Sequence, residues 1–409
     1  MKRTIWSQRR LERWWALLGM PLTVVSVLAG CGPATSNAPA GETVAHVLLI
    51  SALSGPFAPN AIAAVDGVKA GVNFVNKHGG FNGARVELTI MNDNSNPSVA
   101  LANLKEALAN GPKPMWVYAG WTSDEALAMM PLLTTKKILS LETTGAAKLA
   151  DASAYPYQFN ISQKPQDTYG FYVKFFQDKN IKKLGLLAGN DAYGTTVQAA
   201  YQDAFKGSGI SITIAPYNFT SLTLTPQLQQ LKNAGVDAVL VDSEGPTAAY
   251  VLKDIDAMGW SIPLYGDSTS CIVNMVAFVP LSLLSRGKWV CSALAEYNPS
   301  NETQAVKDMR AHLAEVGATL KYPLTLAANG WDDVMIMKYM TDKAKSFNSD
   351  DLVKAMTTYE VPGSLLAGAT GGSKWGKTEH WNISPPAPLH VLAPITGYKD
   401  GQYVTTASQ

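Results

Sequence analysis

Cysteine and histidine are scarce in this chain of 409 residues, and neither positive nor negative charge is in clear excess. Three cysteines cannot build a disulfide framework, so the fold must depend on a hydrophobic core. The net charge is only +1, which provides no basic field for a phosphate backbone, and we expect no nucleic-acid partner. A composition with 47% hydrophobic and 16% charged residues is typical of a globular protein and excludes disordered and collagen-like chains.

The usual catalytic and cofactor motifs are also missing. The five histidines are scattered, and no pair has the spacing of a metalloprotease or a zinc finger. No phosphate-binding loop, GxSxG elbow or dinucleotide-binding GxGxxG occurs. Residues 93–96 lack the glycine and the distal glutamate of a calcium loop, and we interpret Asn96 as the cap of a helix that starts at Pro97. We therefore expect no enzyme, no metal and no cofactor.

The first thirty residues have the pattern of an export signal. Five basic residues precede an uncharged run of 16 residues, 14–29, which is shorter than the ~20 that a membrane-spanning helix needs. The sequence Leu-Ala-Gly-Cys at 28–31 resembles the lipobox of bacterial lipoproteins, in which the cysteine carries a diacylglycerol after cleavage. This resemblance implies a signal peptide over 1–30, a lipid anchor on Cys31 and a tether over 31–43, with the protein in the periplasm or on the outer face of the cell membrane.

From Val44 onward, short β-rich runs alternate with amphipathic helices. The continuous apolar run 47–50 predicts a strand that is covered on both faces, and valines at 65, 68, 72 and 75 have helical spacing. A second series of strands and helices begins near Pro156. Two such series predict an α/β protein with two doubly wound, Rossmann-like lobes. Lys399, Asp400 and Gly401 predict a turn in a final extended region.

Polar loops follow the predicted strands, at the edge where open α/β sheets bind ligands. From these loops we select eleven candidate ligand-binding residues: Ser54, Phe57, Trp121, Thr122, Ser123, Glu142, Thr143, Thr144, Tyr193, Glu244 and Asp267. They supply hydroxyl groups, aromatic surfaces and carboxylates. The sequence leaves open whether Cys271 and Cys291 form a disulfide or stay reduced, since two residues establish no geometry.

The order of these loops resembles that of the periplasmic leucine/isoleucine/valine-binding proteins, the type I substrate-binding proteins of ABC importers. The resemblance extends over the whole chain after the tether, and the segments that carry it are 53–58, 76–83, 93–97, 190–194 and 234–239. It implies a hinge that the chain crosses three times, near Ile161, Ala293 and His380. The first lobe would then comprise 44–160 and 294–379, and the second lobe 161–293 and 380–409.

The resemblance also implies roles for individual residues. Ser123, the Thr143 amide and the Thr144 hydroxyl correspond to groups that hold an amino acid's carboxylate, and a helix start near Ser123 suits an anion. Tyr193 and Asp267 correspond to the aromatic residue and the ammonium-binding carboxylate of the second lobe. The implied protein is a monomer that delivers a small solute, an amino acid or a related compound, to an ABC permease.

Three alternatives stay open at this point. Trp121 and Glu244 differ from the family's usual residues, which favours a receptor for aromatic acids, ureas or amides as the second hypothesis. A ligand sensor for a membrane signalling protein would use the same fold. A hydrolase with Glu244 and Asp267 as its acid/base pair is the enzymatic alternative, although two carboxylates in a cleft bind cations as readily as they catalyse.

Overall fold

The computed structural model describes residues 43–243, 246–292, 303–363, 372–383 and 389–406. All of them belong to one compact unit that begins at Glu42. The predicted signal peptide, Cys31, almost all of the tether, Glu244 and the hinge crossing near Ala293 lie outside these residues. Among the residues that are described, no helix has the length and apolar character needed to span a membrane.

Thirteen strands occur in the described residues. Their bounds are β1 (Val44–Ser51), β2 (Arg85–Asn92), β3 (Trp116–Ala119), β4 (Leu139–Glu142), β5 (Gln158–Asn160), β6 (Lys183–Gly189), β7 (Ser211–Tyr217), β8 (Ala238–Val241), β9 (Leu264–Gly266), β10 (Gly287–Ser292), β11 (Leu389–Val391), β12 (Ile395–Lys399) and β13 (Gln402–Thr405).

Eleven α-helices connect and cover these strands in the described residues. They are α1 (Ala58–Lys77), α2 (Pro97–Asn110), α3 (Ser123–Lys136), α4 (Pro165–Asp178), α5 (Ala192–Phe205), α6 (Thr225–Ala234), α7 (Thr247–Ala257), α8 (Leu281–Leu284), α9 (Gln304–Glu315), α10 (Leu324–Ala344) and α11 (Ser349–Met356).

The first lobe is built on a parallel sheet with the order β2-β1-β3-β4-β5. The predicted strand around 47–50 lies near its centre and is buried on both faces, as its continuous apolar run requires. Strand β5 was not predicted, because three residues are too few for a periodic pattern. The predicted cap of α2 is confirmed, since the Asn96 side chain accepts hydrogen bonds from the amides of Ser98 and Val99.

The second lobe is built on a six-stranded sheet with the order β11-β10-β9-β8-β6-β7. All of its pairs are parallel except β10 with β11. Both sheets carry helices as crossover connections, which confirms the predicted architecture of two α/β lobes. The exact lobe boundaries that the resemblance implied stay predictions.

Close packing of two helices fixes the position of α10 on the first lobe. A Cβ atom on Gly67 would lie 1.9 Å from the carbonyl oxygen of Ala327, and one on Gly330 would lie 2.0 Å from that of Ala64. Only hydrogen fits at these two crossing points, so α1 and α10 approach each other through their backbones. This approach places Asp333, one turn beyond Gly330, inside the lobe, where it is fully buried.

Two of the predicted hinge crossings run side by side in the structure. The amide of Asn160 donates to the His380 carbonyl at 2.9 Å, and the amide of Asn382 donates to the Ser162 carbonyl at 3.1 Å. The His380 ring stacks on Phe159 with centroids 3.9 Å apart. The segments around Ile161 and His380 therefore pair with each other, and their role as hinge crossings stays a prediction.

The end of the described chain packs in the core of the second lobe. Asp400 and Gly401 have positive φ angles of 50° and 81°, which confirms the predicted turn, and the turn joins β12 to β13 as a hairpin. Cys271 and Cys291 form a disulfide with their Cα atoms 5.7 Å apart. The sequence alone leaves this pairing open.

Candidate functional site

The two lobes contact each other along a cleft at the carboxyl ends of their parallel strands. The Tyr193 ring lies on Gly145 so closely that a Cβ atom there would be 2.2 Å from Cδ2 of the ring. The Ala147 amide donates to the Thr196 hydroxyl across the cleft at 3.0 Å. The lobes therefore meet in the arrangement of a closed clamshell.

The loop before α3 forms one wall of the cleft in the first lobe. Thr122 caps the helix, and Glu125 accepts hydrogen bonds from the amides of Trp121 and Thr122, each at 2.8 Å. Ser123 is the first helical residue. Its hydroxyl accepts hydrogen bonds from the amides of Gly145 and Ala146, at 3.3 and 3.1 Å. The hydroxyl thus points across to the loop that follows β4.

The loop after β4 forms the facing part of the same wall. The Thr144 hydroxyl is buried and donates to the side-chain oxygen of Asn160. The Thr143 hydroxyl and the side-chain nitrogen of Asn160 are also buried, but neither has a hydrogen-bond partner. Buried polar atoms rarely remain unpaired, so these two atoms are candidate contacts for a ligand or an ordered water.

The other predicted residues of the first lobe lie at the rim. Phe57 meets Phe219 of the second lobe edge to face, with centroids 5.8 Å apart. Trp121 is buried in an apolar cluster that includes Ile272 of the second lobe, and its indole nitrogen has no hydrogen-bond partner. Ser54 is exposed, and its hydroxyl donates to the side chain of Asn94 at 2.6 Å.

Glu142 lies deeper than the sequence suggested. Its carboxyl group is fully buried, accepts a hydrogen bond from the Ala119 amide at 3.2 Å and another from the Gln158 side chain at 2.6 Å. Burial raises the pKa of Glu142 to about 8, and these two hydrogen bonds only partly offset the effect. Glu142 therefore lies beneath the cleft wall, at the end of β4, instead of on the wall itself.

Two carboxyl groups and a ring of tyrosines form the wall of the second lobe. The Tyr193 hydroxyl donates to Asp242 at 3.3 Å, and the Tyr201 hydroxyl donates to Asp267 at 3.4 Å. Burial raises the pKa of Asp267, although hydrogen bonds from Asp242 and Thr269 counteract this effect. Asp242 and Asp267 are therefore hydrogen-bonded neighbours in the wall of the second lobe.

Asp242, Tyr118 and Asp333 were not among the residues selected from the sequence. Asp242 follows the apolar strand β8 directly, so its position after a strand was a usable signal. Tyr118 lies inside a strand and Asp333 inside a helix, where a single polar residue has no local signature. The predicted helix start near Ser123 is confirmed, with Thr122 as the cap.

The cleft lies in a different place from the cavity of about 330 Å³ in the first lobe. This cavity lies at the opposite, amino-terminal edge of the first sheet, and its lining includes His46, Lys113 and Asp350. It touches none of the eleven candidate residues. Nowhere in the described residues do three or more metal-ligating side chains converge.

Two α/β lobes that close on a cleft lined by buried polar groups define a solute-binding protein of the clamshell type. Residues 45–385 match the periplasmic binding protein family, and the chain belongs to that family. Proteins of this kind bind small solutes and are not enzymes. The eleven candidate residues stay predictions for the binding site.

The chain is similar to several named relatives. A Leu/Ile/Val-binding protein of Rhizobium johnstonii is 20% identical over 369 residues, which cover 87% of this chain and 94% of that protein. A Leu/Ile/Val-binding protein of Escherichia coli K12 is 22% identical over 249 residues, which cover 59% of this chain and 66% of that protein.

Solved structures show the same fold. The periplasmic binding protein type 1 of Bordetella pertussis has a TM-score of 0.75 at 18% identity and covers 88% of this chain and 99% of that chain. A fatty acid ABC transporter substrate-binding protein of Thermomonospora curvata has a TM-score of 0.71 at 18% identity and covers 89% and 91% of the two chains. At these identities the likeness shows the fold alone.

Proposed function

We propose that this protein captures an amino acid or a closely related solute in the cleft between its lobes and delivers it to an ABC importer. The observation that carries the proposal is the cross-lobe contact of Tyr193 with Gly145, next to buried polar atoms that lack partners. The amino-acid relatives named above support the solute class. Both lobes would contact the solute when the cleft is closed. The permease would recognise the surface that this closed state presents.

The solute's carboxylate would bind in the first lobe. The amides of Gly145 and Ala146 now donate to the Ser123 hydroxyl and would be available to an anion that displaces it. The Thr143 hydroxyl, which lacks a partner, supplies a further donor. The amino end of α3 adds a partial positive charge to the same place.

The solute's ammonium group would bind in the second lobe. Asp242 and Asp267 provide neighbouring buried carboxyl groups there, and an ammonium group beside them would favour their ionised forms. The Tyr193 ring would cover the bound solute from the same side. Binding would thus join a donor-rich wall to an acidic wall, which is possible only when the lobes are closed.

The lipid anchor and the location belong to the same proposal. Cleavage before Cys31 would leave a protein with 28 basic and 31 acidic residues, tethered to a membrane by its lipid. Metabolic labelling with a palmitate analogue would detect the lipid, and Cys31→Ser should abolish both labelling and membrane retention.

A thermal-shift screen with amino acids, aromatic acids and amides tests the solute class. A solute at one hundred times its Kd should stabilise the folded protein by about 2.7 kcal/mol. Small-angle scattering with the same solutes would measure closure. No stabilisation and no compaction with any of these compounds would refute the proposal.

Asp267→Asn separates an amino acid from the second candidate, an aromatic acid, urea or amide. The unpartnered indole nitrogen of Trp121 favours this second candidate, since it can donate to a neutral acceptor. The substitution should weaken binding of an amino acid by about 2 kcal/mol or more, roughly 30-fold, and leave a solute without an ammonium group unaffected. Calorimetric titration measures both cases.

A further inference from the structure

Buried charge in the described part of the chain is almost entirely acidic. Seven carboxyl groups are buried there, against no lysine, no arginine and two histidines. The seven are Asp93, Glu125, Glu142, Asp242, Asp267, Asp332 and Asp333. An ionised carboxylate is costly to bury without a cation, so such a set either holds protons or meets positive charge from outside the chain.

Several of these carboxyl groups have a structural task. Glu125 completes the cap of α3, Asp93 accepts a hydrogen bond from the Ser95 amide at 2.9 Å, and Asp267 accepts from the amides of Thr269 and Ser270. Asp333 is different. It is fully buried, and neither of its carboxyl oxygens has a hydrogen-bond partner. Nothing in its surroundings explains why a polar side chain occupies this position.

A second unpartnered group lies beside Asp333. The Tyr118 side chain is 1% exposed, and its hydroxyl has no hydrogen-bond partner. Asp333 and then Glu142 are the carboxyl groups that most strongly raise the pKa of Tyr118, after burial itself. Glu142 in turn contributes to the raised pKa of Asp333. The Ala119 amide, next to Tyr118, donates to Glu142, and α10, which carries Asp333, packs against β4, which ends at Glu142. The three side chains therefore form one buried polar group.

This group lies directly beneath the cleft. Tyr118 is three residues before Trp121, whose indole nitrogen has no partner at the rim of the cleft, and Glu142 is followed at once by Thr143, whose hydroxyl has no partner in the cleft wall. Leu326, two helical turns before Asp333 on α10, packs in the cluster that contains Trp121. Unpartnered polar atoms thus occur both at the cleft and in the buried group that includes Asp333.

We propose that Tyr118, Glu142 and Asp333 form a subsite at the floor of the cleft that binds a cationic group of the solute. An aliphatic ammonium group would donate hydrogen bonds to the two carboxyl groups, which would ionise as it binds, and to the phenol oxygen, and would supply the positive charge that this part of the core lacks. The subsite rests on the proposed solute-binding function. It adds that the solute carries a second positive group, as a basic amino acid or a diamine does.

Lysine and norleucine provide the test, because they differ only in the terminal ammonium group. Calorimetric titration of the purified protein with lysine, norleucine, leucine and putrescine should show lysine binding on the order of tenfold more tightly than norleucine. Asp333→Asn should weaken lysine binding by roughly 30-fold and change norleucine binding by less than about twofold. Asp342→Asn, at an exposed site on the same helix, is the matched control.

A second variant protects the test against a folding defect. Tyr118→Phe keeps the ring and removes only the unpartnered hydroxyl, so it should weaken lysine binding by about fivefold without unfolding the protein. Urea unfolding of each variant verifies its fold.

Each remaining outcome has a definite meaning. Equal binding of norleucine and lysine, or equal lysine binding by wild-type and Asp333→Asn protein, overturns the subsite and leaves the amino-acid function standing. Stabilisation by potassium or calcium chloride with no response to lysine or putrescine also overturns it, because an inorganic ion would then occupy the floor. If none of the four compounds binds and the wider screen also fails, both the subsite and the proposed function are wrong.

Discussion

Replacing Gly145 by alanine should block closure of the cleft without disturbing either lobe. The added Cβ would lie 2.2 Å from Cδ2 and 2.5 Å from Cε2 of Tyr193, whereas carbon atoms normally stay more than 3.4 Å apart. Tyr193 cannot yield freely, because its ring is buried and its hydroxyl donates to Asp242. Gly145 does not have a positive φ angle, so alanine introduces no backbone strain.

The expected magnitude follows from this overlap. Overpacking by one methyl group costs about 1–3 kcal/mol, and here the cost falls only on the closed state. Affinity for the solute should therefore fall by roughly 5- to 150-fold, while the free energy of unfolding of the ligand-free protein changes by less than about 1 kcal/mol.

Titration calorimetry and small-angle scattering together measure this effect. The matched control is Gly170→Ala in α4, where a Cβ atom has nothing within 4 Å and should only stabilise the helix, by about 0.5–1 kcal/mol. If Gly145→Ala binds the solute within about twofold of wild type and compacts to the same extent, the contact with Tyr193 does not define the closed state.

Two further predictions concern stability. Burial raises the pKa of Glu142 from 4.5 to about 8, so its neutral form stabilises the fold fully below pH 4.5 and this contribution is lost as the pH rises towards 8, by up to about 1.4 kcal/mol per pH unit. Glu142→Gln should therefore gain stability relative to wild type between pH 5 and pH 8 in urea unfolding, and parallel curves would contradict this. Replacing Cys271 and Cys291 by alanine should lower the free energy of unfolding by about 3 kcal/mol, because the disulfide closes a loop of 20 residues. An unchanged urea midpoint would show that the disulfide contributes nothing.

Local patterns in the sequence predicted the local structure well. The apolar run 47–50 specifies a strand because each of its residues is buried on one face or the other of a covered sheet. Asn96 before Pro97 specifies a helix start because its side chain can accept from the free amides of the first turn. Lys399, Asp400 and Gly401 specify a turn because aspartate and glycine tolerate positive φ angles. In each case the energy comes from residues a few positions apart.

The candidate site was only partly accessible to the same reasoning. The sequence selected Ser123, Thr143 and Tyr193 because they follow strands, and the structure brings them to one cleft. The same rule placed Glu142 in the cleft, but the side chain turns inward and accepts hydrogen bonds from within the first lobe. A residue's position after a strand indicates the edge of the sheet, whereas its depth depends on the register of neighbouring strands.

The amino-acid sequence by itself determined the alternation of strands and helices, the class of fold and the positions of the loops, since these follow from contacts between near neighbours. Only the tertiary structure decided that Cys271 and Cys291 are close enough to bond, that Asp242 and Asp267 are hydrogen-bonded neighbours, and that Asp333 lies buried without a hydrogen-bond partner. These features join residues that are 20 to more than 200 positions apart. Their meeting depends on strand order, and on the helix crossing at Gly67 and Gly330, whose energies no local pattern contains.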